Sequence, residues 1–230
     1  MARLIAADPE SYPFSVAGLV LIDSPYHIAR SKVTVPTSKP EIVGLPPLVQ
    51  KSFDNCEIML RNWDLPSWGT GDKGGGTDVK FSMAGDSFTL PKGQVLRKPV
   101  GSSPHDNKWE TMTVRTYEGH TSSDTSSGGG AVASPPPAVL LRCVKHAKSK
   151  PSAEHGQETP SCLVDLFRDE KLLGWEARYP DFIKAVIDVD ADHYNLFSMA
   201  DTVGLERVSA QVLKALEVVD ALQKARRQAK

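Results

Sequence analysis

The stretch Gly18-Leu-Val-Leu-Ile-Asp-Ser-Pro-Tyr-His27 decides how this chain is read. Four apolar residues run without polar alternation into Asp23, and a Ser-Pro turn follows. An unbroken apolar run is how a strand buried on both faces of a parallel sheet reads, and residues 16–22 are expected to form one. A carboxylate just beyond such a strand lies where open α/β sheets gather ligands and catalytic groups. An aspartate after a strand is also a common turn former. The rest of the chain has to separate the two meanings.

Two further segments share the pattern, Ala138-Val-Leu-Leu-Arg-Cys-Val144 and Phe182-Ile-Lys-Ala-Val-Ile-Asp-Val189. Asp190-Ala-Asp-His-Tyr-Asn-Leu-Phe197 leaves the carboxyl end of the last one, which sends His193 toward the same sheet edge as Asp23. Residues 1–8 read as the last turns of a helix closed by Asp8-Pro9. Residues 46–63 read as a helix with one apolar face of Val49, Phe53, Cys56, Leu60 and Trp63, at steps of four, three, four and three. That face suits either core packing or a lid over a site. From Val203 to Arg227 the chain reads as an amphipathic helix whose buried face holds Val208, Val212, Ala215, Leu216, Val219 and Leu222, with Arg226 and Arg227 crowding its end. The order predicts α/β architecture with a mostly parallel sheet and a lid-like segment.

Between these elements the pattern dissolves. Residues 64–137 contain Gly69-Thr-Gly-Asp-Lys-Gly-Gly-Gly76, a Ser/Thr/Gly tract at 120–130 and Pro135-Pro-Pro137. This composition predicts a long, polar, flexible insertion. Lys73 lacks the preceding Gly and the following Ser or Thr of a phosphate loop.

Composition narrows the function classes. The chain has 230 residues, 40% of them hydrophobic, which suits one domain with a packed core. A net charge of −1 argues against a nucleic-acid partner. No apolar run approaches the roughly 20 residues that span a bilayer. The first residues lack the apolar region of a signal peptide. Three widely spaced cysteines, Cys56, Cys143 and Cys162, fit a reducing compartment better than a disulfide framework or a zinc site, so the expected location is the cytosol. The carboxylates of Asp188, Asp190 and Asp192 alternate as calcium ligands can, but His193 and Met199 stand where an EF-hand needs Gly and Glu. No metal is expected.

Asp23 and His193 together would make an acid–base pair, the carboxylate orienting the imidazole. The segments around them carry a resemblance. Gly18-Leu-Val-Leu-Ile-Asp-Ser-Pro25 resembles the acid-bearing segment of the α/β-hydrolase thioesterase domains of fungal polyketide synthases and nonribosomal peptide synthetases. Asp192-His193-Tyr194 resembles their Gly-Asp-His-Phe segment, with Ala191 where Gly is usual. The resemblance covers residues 1–63 and 138–222. It implies that the chain is a single partial thioesterase domain, the C-terminal part of an α/β-hydrolase fold. It implies an acyl chain delivered on a carrier-protein phosphopantetheine arm, no cofactor, Asp23 as the orienting acid and His193 as general base. Tyr26, Phe53 and Trp63 are the expected substrate contacts.

The family's nucleophile lies in Gly-x-Ser-x-Gly on a strand-to-helix turn before the acid. That motif is absent from this chain. Gly85-Asp-Ser87 and Gly101-Ser-Ser103 come closest and lack the final Gly. Counting back from Asp23 by the family's spacing lands just before Met1, so the chain is expected to begin inside the helix that follows the nucleophile. Two outcomes stay open. One is a thioesterase-like site that is inactive alone. The other is a non-catalytic remnant, or a protein that binds an acyl chain or a partner. In either, the first strand would have one unpaired edge, and marginal stability or self-association through it is expected.

Overall fold

The computed structural model describes residues 5, 9–27, 46–60, 63, 78–101, 108–114, 135–147, 162–177, 179, 181–198 and 200–228, apart from the side chains of residues 9, 50, 53, 54, 57 and 60. The helix expected over residues 1–8 lies, Ile5 aside, outside the described residues. The three apolar runs do form strands. They are β1 (Leu19–Ile22), β6 (Ala138–Cys143) and β7 (Ile183–Val189). β1 runs parallel to β6, and β6 runs parallel to β7. β6 and β7 are almost wholly buried, which is why their sequences show no alternation.

The segment read as one flexible insertion, 64–137, is not that over residues 78–101 and 108–114. It holds four strands, β2 (Val79–Met83), β3 (Asp86–Leu90), β4 (Gln94–Lys98) and β5 (Glu110–Thr113). β2 and β3 form a separate antiparallel hairpin. β4 joins the main sheet parallel to β7, and β5 closes that side antiparallel to β4. The five-stranded order is β1-β6-β7-β4-β5, so the sheet is mostly parallel. The physical reason lies in the alternation of Val79, Phe81 and Met83, which seats one face of the hairpin in the core. The two-residue turn at Ala84-Gly85 has positive φ at both positions, 51° and 90°, the geometry that matches the twist of a tight hairpin. Residues 64–77, 102–107 and 115–134 lie outside the described residues.

Two apolar layers sandwich the sheet. On one face Val139, Leu141 and Ile187 pack with the hairpin and with α2 (Thr202–Gln228). On the other, Leu140, Ile183 and Val186 pack with Leu172, Leu173 and Phe182 from the connection between β6 and β7. α2 starts where the Asp201 carboxylate accepts the Gly204 amide at 2.9 Å, an N-terminal cap. Most of its expected stripe is buried, namely Val208, Ala215, Val219 and Leu222, with Val212 packed against them. Gln211 and Val218 also face inward, and Leu216 is half exposed. A polar residue, Gln211, occupies a stripe position because its amide reaches the Asp188 carbonyl at 3.4 Å.

Helix α1 (Pro47–Leu60) forms inside the expected 46–63. The apolar residues whose side chains are described do not enter the core as simple packing requires. Val49 and Cys56 are exposed, as are Leu48, Ile58 and Met59. No helix among the described residues is long and apolar enough to cross a membrane.

β1 leans on α2 through a missing side chain. A Cβ at Gly18 would lie 2.6 Å from Val219 Cγ1 and 2.9 Å from the Pro137 carbonyl oxygen. Gly18→Ala is therefore expected to destabilise the fold by about 1–3 kcal/mol, the usual cost of overpacking, as measured by urea denaturation.

Candidate active site

Asp23 ends β1 at the carboxyl edge of the sheet, in the left-handed region at φ 42°, which aspartate tolerates better than most residues. Its amide continues the ladder to the Leu141 carbonyl at 2.7 Å. Its side chain is fully buried. His193 sits in the turn after β7 and brings Nδ1 to 3.0 Å from Asp23 Oδ2. The two residues predicted from opposite ends of the sequence thus meet at one sheet edge. The imidazole is 37% exposed, so the ring is reachable from solvent while its partner is not.

A residue that the sequence reading missed completes the arrangement. Arg168 lies in the connection between β6 and β7, just after the 3-10 turn Leu163–Phe167. Its Nη1 lies 2.6 Å from Asp23 Oδ1, and its Nη2 lies 3.1 Å from Oδ2. The backbone amide of Cys143, at the end of β6, donates to Asp23 Oδ1 at 2.9 Å. Burial alone pushes the Asp23 carboxyl up. The hydrogen bonds from His193 and Arg168, the guanidinium charge and the Cys143 amide outweigh it and hold the carboxyl below the usual range. Asp23 is therefore an acceptor only, and the proton in its bond with His193 belongs on Nδ1. That leaves Nε2 as the imidazole's basic nitrogen.

The Asp-Ser-Pro turn is held from two sides. Ser24 donates its hydroxyl to the Ile22 carbonyl at 3.0 Å, a turn role rather than a nucleophile's. The Trp175 indole donates to the Ser24 carbonyl at 2.9 Å, and the Tyr26 amide donates to the Leu173 carbonyl, also at 2.9 Å. Gly174 makes that approach possible, at φ 87° with its Cα facing Phe167 and Tyr26. The Glu176 carboxylate accepts the amides of Leu172 and Gly174.

The expected substrate contacts are placed unevenly. Tyr26 packs edge-on against Trp175, with ring centroids 5.4 Å apart, and belongs to an aromatic group with Tyr179. Trp63 is exposed and its ring lies tilted against His27, centroids 4.8 Å apart, and His27 Nε2 donates to the Trp63 carbonyl at 2.7 Å. The region just past α1 is thereby tied to the loop that follows Asp23. The Phe53 side chain lies outside the described residues.

Other candidates have structural employment. Cys143 and Cys162 are buried, and burial, the largest cause, pushes both thiols up, away from a nucleophilic thiolate. Ser87 lies in the β3 strand of the hairpin, 3.4 Å from Ser82. Ser102 and Ser103 lie outside the described residues. The three alternating aspartates diverge. Asp188 binds Arg97 and Arg142, Asp190 binds Lys145, and Asp192 accepts the amides of Tyr194 and Asn195. Among the described residues no hydroxyl or thiol hydrogen-bonds to His193.

Over most of its length this chain is a homologue of fungal proteins named as thioesterases. It is 37% identical over 208 residues to the probable thioesterase KK1J of Curvularia clavata, a match covering 90% of this chain and 62% of that protein. It is 33% identical over 223 residues to the probable thioesterase lcsE of Purpureocillium lilacinum, covering 96% of this chain and 65% of that protein. A shorter match, 35% identical over 83 residues, joins 36% of the chain to 31% of the thioesterase frbD of Dothideomycetidae sp. (strain 11243). The chain thus spans a little under two thirds of the length of the first two relatives. No protein-family model matches it, and no solved structure does.

The depressed Asp23 carboxyl has a consequence for stability. The unfolded chain takes up that proton first, near pH 4, and the folded one only at lower pH. The contribution is complete above about pH 5 and is lost as pH falls through the folded-state value. Denaturant midpoints are expected to drop below roughly pH 4, and Asp23→Asn is expected to remove that part of the slope while lowering stability at pH 7.

Proposed function

We propose that Asp23 and His193 are the acid and base of an acyl-thioester site, acting in hydrolysis or cyclising release, and that the chain is the C-terminal part of a single α/β-hydrolase-type thioesterase domain. The observation that carries this reading is the contact between Asp23 Oδ2 and His193 Nδ1, 3.0 Å apart at the carboxyl edge of a mostly parallel sheet. The kinship with proteins named thioesterases supports the substrate class.

The chemistry follows from the proton inventory. Ionised Asp23 keeps the proton on Nδ1, so His193 Nε2 accepts a proton from an attacking hydroxyl and returns it to the leaving thiolate. Asp23 stabilises the imidazolium between those steps. The acyl chain arrives on the phosphopantetheine arm of a carrier protein in the cytosol, and no cofactor enters. Tyr26, Phe53 and Trp63 border the acyl path. Exposed Leu48, Ile58 and Met59 on α1 give a lid-like apolar surface for the chain to cover.

The nucleophile is the missing part. The sequence has no Gly-x-Ser-x-Gly, and no described hydroxyl or thiol reaches His193. On this reading the chain holds the acid–base half of the site and turns over slowly or not at all by itself. The same observation favours the second reading, a non-catalytic protein that binds an acyl chain or a partner.

Hydrolysis of a short acyl-N-acetylcysteamine thioester separates the two. If the site works, His193→Ala is expected to lower turnover by about a hundred-fold or more. Equal rates for the two chains, with binding of the thioester retained, select the non-catalytic reading.

The free edge of β1 gives a further expectation. Among the described residues its only strand partner is β6. An apolar edge strand invites pairing with another copy. Sedimentation velocity over a concentration series is expected to show association, and a monomer at every concentration would contradict it.

A further inference from the structure

We infer that Arg168, clamped by Asp165, is a positioning residue that fixes the plane in which the Asp23 carboxylate faces His193. The inference rests on the reading of Asp23 and His193 as an acid–base pair.

The argument is an account of donors and acceptors. A guanidinium has five N–H groups. Nη1 donates to Asp23 Oδ1 at 2.6 Å and to the Cys143 carbonyl at 2.7 Å. Nη2 donates to Asp23 Oδ2 at 3.1 Å and to Asp165 Oδ1 at 2.9 Å. Nε donates to Asp165 Oδ1 at 3.1 Å. All five are used, and Arg168 is buried where no solvent could replace a lost partner. Asp165 is anchored in turn, since its Oδ2 accepts the Ala147 amide at 2.9 Å.

Asp23 is equally saturated. Oδ1 takes the Cys143 amide and Nη1, and Oδ2 takes Nη2 and His193. The carboxylate cannot turn without breaking three bonds, so only the bond to His193 has an exposed partner.

The charge balance serves the same end. One guanidinium faces the carboxylates of Asp23 and Asp165, so Arg168 does not cancel the negative charge that faces His193. The other groups facing the cluster are Asp192 beside His193, Tyr194, and the thiols of Cys143 and Cys162, which burial keeps uncharged.

The test is NMR of the full chain carrying carbon-13 carboxyl and nitrogen-15 imidazole labels, because it needs no turnover. In Arg168→Gln the Asp23 carboxyl titration is expected to move up by about one unit or more, the size of effect a neighbouring arginine exerts. The His193 Nδ1–H signal is expected to vanish with it. Arg168→Lys keeps the charge but not the fork. In this variant the carboxyl titration should stay near that of the parent while the Nδ1–H signal is still lost, and it serves if the glutamine variant fails to fold. An unchanged Nδ1–H signal in either folded variant overturns the inference. In thioester hydrolysis both variants should lower kcat about ten-fold or more with KM unchanged. An inactive parent chain with these NMR changes would sink the proposed activity and leave the positioning of the pair standing.

Discussion

The fork between Arg168 and Asp23 is the contact on which the carboxyl edge of the sheet depends. It gathers three segments that are remote in sequence. They are the end of β1, the end of β6 through Cys143, and the turn that carries Asp165. Burying these charges is costly, and a well-packed apolar substitute is often as stable. Removing one partner alone is far worse, at about 3–5 kcal/mol, because the other is left buried and uncompensated. An arrangement with that asymmetry is stiff. It fixes a carboxylate in space to within the tolerance of a hydrogen bond, and the acid–base chemistry proposed for it needs that. The left-handed backbone at Asp23 is held by the same contacts.

The fold supplies the stiffness from below. β6 and β7 are buried on both faces, and the layers against them are α2 with the hairpin on one side and the β6–β7 connection on the other. That connection does two jobs. Leu172, Leu173 and Phe182 fill the second apolar layer, and Arg168 and Trp175 reach from it to Asp23 and to the turn that follows. The site is an outgrowth of the core rather than a set of loops resting on it.

How much of this the sequence discloses depends on the range of each interaction. β1, β6 and β7 are legible because an unbroken apolar run reports two covered faces. The strands of 78–114 are not, since each is only four or five residues long and lies between glycine- and serine-rich tracts that dominate any window. The face of α2 is legible except at Leu216, and Gln211 joins it because its amide reaches a carbonyl. Asp23 and His193 could be paired across 170 residues only because both follow strands and a family resemblance sets them together. Arg168 lies 145 residues from Asp23, with no rule to connect them. The trace it leaves is an arginine three residues after an aspartate inside the apolar run Leu163–Phe167, a spacing that reads as a local surface pair until burial is known.

Asp188 has a meaning of its own for β4. Its carboxylate is wholly buried between Arg97 of β4 and Arg142 of β6. Arg97 shares its sheet face with Val95, while Leu96 faces the opposite layer with Ile187. Sliding β4 by one residue would carry Leu96 to the carboxylate and drive the Arg97 guanidinium into the apolar layer beneath α2. Asp188 thus works as a key that accepts one alignment of β4, in a stretch whose flanking composition would otherwise let the strand slip.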